Sequence, residues 1–102
     1  MQHDDQNNLL TKLIELLVAE THPRRIFLFG SRARGDNKSY SDFDFALEGT
    51  TLAIRHERLL REKLVRAAGI YRVDLIELEK TENSFRDAIY KQGKLLYERS
   101  AP

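Results

Sequence analysis

Residues 26–47 read IFLFGSRARGDNKSYSDFDFAL, and two patterns in this stretch decide the fold. Arg25 to Phe29 is a short run of aromatic and β-branched residues cut off by Gly30, as expected of a buried strand entering a tight turn. Asp42 to Glu48, DFDFALE, alternates instead. An extended backbone sends successive side chains to opposite faces, so Asp42 and Asp44 share one face while Phe43, Phe45 and Leu47 share the other. One strand thereby separates carboxylates from core. The intervening GSRARGDNKSYS reads as turn and loop, with or without one helical turn from Ser31.

Working outward, Leu9, Leu10, Leu13, Ile14, Leu16 and Leu17 follow one helix face, with Asn7 or Asn8 as N-cap and an end before Pro23. Leu52 to Ala68 repeats the pattern among many charges and closes at Gly69. Within it, Glu57 and Arg61 form an i, i+4 pair. Tyr71 to Glu79 reads as a third strand and Ser84 to Gln92, before Gly93, as a last helix. KLLYE, residues 94–98, reads as a strand or a docking tail, and Leu95, Leu96 and Tyr97 are the candidates for an exposed partner patch. The order predicts an α+β (α/β) domain: a small mixed sheet with helices packed on one face and the other face open for a ligand.

At 102 residues the chain is expected to form one domain, residues 1–102, around one core. Apolar residues make up 41% and charged residues 32%, a globular balance. A net charge of +1, from 17 basic and 16 acidic side chains, lacks the basic excess that drives strong direct nucleic-acid binding. With no Cys, disulfide and thiolate-metal chemistry is excluded. No apolar run approaches the roughly 18 residues of a membrane span, and the polar start MQHDDQNN is unlike a signal peptide, so a cytoplasmic protein is expected.

The chemistry concentrates on three carboxylates. Asp42 and Asp44 project in parallel, and hard divalent cations such as Mg²⁺ bind carboxylate and phosphate oxygens. Two such ions can serve in-line displacement at phosphorus. Asp74, between Val73 and Leu75, is expected to be mid-strand and buried, where a carboxylate needs a cation or donors, so it is the third metal ligand, with proton abstraction as a second role left open. Gly30 and Ser31 allow close backbone approach and offer amides and a hydroxyl to a triphosphate. Arg32, ahead of Arg34 and Lys38, can neutralise phosphate oxygens. Ser31 has no His or Lys base in a motif around it, which argues against a nucleophilic serine. His3, His22 and His56 lack metal-site spacing, and Glu48, Glu77 and Glu79 read as solvent-facing strand-end charges.

The pattern G-S, A-R-G, S-D-x-D resembles the signature of the minimal nucleotidyltransferases of the DNA polymerase β superfamily. The resemblance implies a polymerase-β-like nucleotidyltransferase fold, with triphosphate at Gly30 and Ser31 and two Mg²⁺ at Asp42, Asp44 and Asp74. It further implies the antitoxin type that is paired with a HEPN toxin and transfers AMP from ATP to a tyrosine hydroxyl of that partner. Two other readings stand beside it. A non-catalytic module would neutralise its partner by masking, and a small-molecule nucleotidyltransferase would need an acceptor site that the sequence does not reveal.

Overall fold

The computed structural model describes residues 2–30, 33 and 42–100, the side chains of residues 2–6 excepted. Helix α1 spans Gln2–Thr21, strand β1 Arg25–Phe29, strand β2 Phe43–Glu48, helix α2 Ile54–Ala68 and strand β3 Val73–Glu77. A 3₁₀ turn follows at Leu78–Lys80, then helix α3 at Asn83–Gln92 and strand β4 at Lys94–Glu98. The sheet order is β3-β2-β1-β4, with β1 antiparallel to both neighbours and β2 parallel to β3. The sheet is therefore mixed, and KLLYE is a strand at its edge.

Period-two alternation decides what each face does. Ile26, Leu28, Phe43, Phe45, Leu47 and Leu75 point to one face and are buried against Leu13 and Leu17 of α1 and Leu60, Leu64 and Ala68 of α2. Each large apolar side chain removed from water there contributes about 1.5–3 kcal/mol. The opposite face carries a second cluster of Phe27, Ala46, Leu78 and Ile89. The sequence expectation of helices on one face thus holds for α1 and α2 but not for α3, whose Ile89 crosses to the second face. Among the described residues, Ile89 of α3 and Leu78 of the 3₁₀ turn cover part of that face.

Several boundaries move for physical reasons. Asn7 is not a cap: α1 runs on to Gln2, and the Asn7 carbonyl accepts the Thr11 hydroxyl at 3.0 Å inside the helix. At its other end His22, at φ 49°, takes the left-handed position and its N–H returns to the Val18 carbonyl at 3.0 Å, ahead of buried Pro23. Leu52 lies before α2, buried, its N–H donated to Glu77 Oε1 at 2.6 Å. β3 ends at Glu77 because Leu78 turns inward through the 3₁₀ segment.

Glu48 and Glu77 are not solvent-facing. They are 4% and 6% exposed, whereas Glu79 is exposed and accepts the Gly49 N–H at 2.8 Å. Glu48 sits directly opposite Arg25 in the β1–β2 register, and the pair is bidentate, at 2.5 and 2.7 Å. Arg24 adds a bond at 3.1 Å, and the Tyr90 hydroxyl donates to the second oxygen. The Arg25 guanidinium also lies 5.3 Å from the Phe27 ring centroid and 5.7 Å from that of Tyr90. Hydrogen bonds from Arg25, then from Tyr90 and Arg24, outweigh burial and hold the Glu48 carboxyl at about 2, below its ordinary 4.5.

A carboxyl with a depressed pKa stabilises the fold fully above its unfolded value, and the contribution disappears as pH falls from 4.5 towards 2. Glu48→Ala should cost about 3 kcal/mol at neutral pH in denaturant unfolding, because it strands Arg25 against the sheet. Glu48→Gln should flatten the loss of stability between pH 4.5 and 2; an unchanged acid profile would contradict this account.

Candidate functional site

β2 lies between β1 and β3, so each residue on its second face has a neighbour on both sides. Asp44 is in register with Phe29 of β1 and with Asp74 of β3. The ladder continues one step towards Asp42, where the Phe43 N–H bonds the Arg72 carbonyl at 2.8 Å. By alternation Asp42 and Asp44 lie on the second face with Asp74, and both are half-buried. The structure thus brings the three aspartates to one end of one face.

Gly30 follows β1 at φ 76°, in the left-handed region. A Cβ added there would run into the Asp44 carboxylate. The backbone conformation favours glycine, and its small size leaves the Asp44 carboxylate where it is. Ser31 and Arg32, and with them Arg34 and Lys38, lie outside the described residues.

Asp74 departs from expectation. It is the second residue of β3, and its side chain is 56% exposed. Its apolar neighbours Val73 and Leu75 point to the other face and bury nothing on its own. Asp74 Oδ1 accepts the Leu75 N–H at 3.0 Å and meets Arg61 Nη1 of α2 at 3.5 Å. Arg61 is itself held by Glu57, at 3.0 Å, and by the Leu75 carbonyl. The sequence exposed only the Glu57–Arg61 half of this arrangement, because the reach from helix to strand leaves no local pattern.

Among the described residues, no three His, Cys, Asp or Glu side chains are gathered into a group able to hold an ion. The donor chemistry nonetheless fits a hard divalent cation: Asp42 and Asp44 offer only oxygens, and Mg²⁺ characteristically takes one or two carboxylates together with waters and phosphate oxygens. His56 is occupied elsewhere, 3.6 Å from Glu20 on α1. Of the suggested partner patch, Leu95 is exposed while Leu96 and Tyr97 pack on the core. None of the described helices is long and apolar enough to cross a membrane.

The family model for polymerase beta, nucleotidyltransferase, matches residues 11–102. Among solved structures, a chain of a toxin-antitoxin crystallised with AMP-PNP is 29% identical at TM-score 0.70, covering 90% of this chain and 73% of that one. A chain of the complex of tri-AMPylated Shewanella oneidensis HEPN toxin with MNT antitoxin is 29% identical at TM-score 0.70, over 97% and 74%. A chain of the MntA-HepT toxin-antitoxin is 28% identical at TM-score 0.67, over 92% and 73%. None of the curated proteins matches.

Gly69 tests the crowding at Gly30, since it too has a positive φ, 65°, but nothing within 4 Å of an added Cβ. Gly69→Ala should cost about 1–2 kcal/mol in denaturant unfolding from backbone strain alone. Gly30→Ala should cost more, because Asp44 must also move; equal losses would remove the close approach from the argument.

Proposed function

The chain belongs to the polymerase beta nucleotidyltransferase family, and from that premise we propose that it transfers AMP from ATP to a tyrosine hydroxyl of a HEPN-type toxin. It acts as the antitoxin of the pair, in the cytoplasm, with two Mg²⁺ ions. The observation that carries this reading is the placement of Asp42 and Asp44 on one strand face, with Asp74 in register beside Asp44 and Gly30 against the Asp44 carboxylate. The solved relatives support the partner and the nucleotide, since one is a toxin-antitoxin with AMP-PNP and another contains a tri-AMPylated HEPN toxin.

Asp42 and Asp44 would hold the cations, with Asp74 completing the set on the acceptor side. Bound Mg²⁺ supplies positive charge to the phosphate oxygens and to the attacking and leaving oxygens. Gly30, and with it Ser31 and Arg32 of the following segment, would hold the triphosphate. The acceptor oxygen bonds to the α-phosphorus in line as the bond to pyrophosphate breaks, and the hydroxyl proton passes to the Asp74 carboxylate. Positioning and charge complementarity carry most of such a transfer.

A second reading, neutralisation by masking without chemistry, draws on one specific feature. Asp74 is engaged by Arg61, and the described carboxylates are not gathered as an ion cage. The two readings separate cleanly. Incubated with α-labelled ATP, Mg²⁺ and its HEPN-type partner, the chain should add AMP units to the partner, followed by mass. Asp42→Asn with Asp44→Asn should lower transfer at least a hundredfold while complex formation persists. Retained neutralisation by that double variant, with no mass gain in the wild type, would establish masking instead.

A further inference from the structure

A cavity of about 140 Å³ opens between the end of β1 and the last turns of α3. Phe29, Gly30, Phe85, Ala88 and Gln92 are among its lining residues, and none of the described lining residues is charged. Its volume is several times the roughly 30 Å³ share of a water molecule, room for one flat ring system. Phe85 meets Phe29 edge to face, with centroids 5.8 Å apart, yet stays 45% exposed. A large aromatic kept partly in water at the mouth of an apolar cavity has area left to cover a ligand.

Gly30 joins this cavity to the acidic site. It lines the cavity, and it is also the residue whose missing Cβ makes space for the Asp44 carboxylate. A ligand spanning both regions needs a phosphate end, with its cations, at Asp44 and an uncharged planar end within reach of Phe85. A nucleotide has that construction, and the apolar and aromatic side chains among the described lining residues suit its base.

Gln92 is the only described lining residue with a polar side chain. Its amide offers one donor group and one acceptor, the pair that matches the N6 donor and N7 acceptor of adenine. Guanine presents two acceptors on the same edge. We infer that the cavity seats the adenine base of the nucleotide, with Phe85 as its ring wall and Gln92 reading its edge. This rests on the nucleotidyl transfer proposed above and adds to it the place and the selectivity of base recognition.

The test is calorimetric titration of the full chain with Mg²⁺-ATP, Mg²⁺-GTP and Mg²⁺-tripolyphosphate. Phe85 and Gln92 are both exposed, so their variants should fold, which thermal melting checks. Phe85→Ala should weaken ATP binding about tenfold and leave tripolyphosphate unchanged, since only the base loses a stacking partner. Gln92→Arg replaces the acceptor by donors, which suit the two acceptors of guanine, and should lower the preference for ATP over GTP about tenfold. Unchanged ATP affinity and preference in both variants would overturn the assignment. So would equal weakening for ATP and tripolyphosphate, which places the defect at the phosphates. Unchanged ATP binding with lost transfer would also overturn it, by giving the cavity to the acceptor's tyrosine ring. A wild type that binds neither ATP nor tripolyphosphate sinks the nucleotidyl-transfer reading itself, whereas a wild type that binds ATP like its variants sinks the base site alone.

Discussion

An extended strand cannot place neighbouring side chains on the same side, and β2 occupies the position where this constraint matters most. It is flanked by β1 and β3, so both of its edges are hydrogen-bonded and its register is set on two sides. A slip of one residue in either pairing would carry Asp42 and Asp44 into the cluster that Phe43 and Phe45 now fill, and would turn the phenylalanines out. Burying two unpaired carboxylates costs far more than any single apolar contact returns. The core therefore fixes the register, and the register fixes the acidic site.

The two ends of the second face treat carboxylates differently. At one end Glu48 is matched within its own strand pair by Arg25, with Arg24 and Tyr90 adding donors, so its charge is settled inside the fold. At the other, Asp44 and Asp74 stand side by side on adjacent strands. Like charges in register weaken strand pairing, and stability alone would not select them. Arg61 reaching Asp74 from α2 offsets part of the repulsion.

Much of this was legible in the sequence because it rests on short periods. The alternation of DFDFALE and the stop at Gly30 mark β1, β2 and the acidic face without any knowledge of what packs on them. What was hidden depends on distant partners. Glu48 and Glu77 look like exposed strand ends because Arg25 and the Leu52 N–H, which bond them, lie 23 and 25 residues away, although Lys80 also pairs with Glu77 locally. Asp74 looks buried because Val73 and Leu75 are apolar, although in a strand those neighbours describe the opposite face. The crossing of α3 to the second face rests on Ile89 and on Phe85 and Tyr90 against Phe29 and Phe27, contacts with a strand far earlier in the chain that helix periodicity cannot announce.

Topology supplies what sequence spacing could not. Gly30 reaches Asp44 through an antiparallel pairing, and Asp74 reaches it through a parallel one, with the α2 crossover between. Only the order β3-β2-β1 satisfies both, since it sets β2 between the turn that follows β1 and the strand that carries the third aspartate. The crossover helix that makes the parallel pairing possible also delivers Arg61 to Asp74, so the same element that assembles the three aspartates governs how freely the third can move. Assembly of the site and restraint of its most exposed member are consequences of one connection.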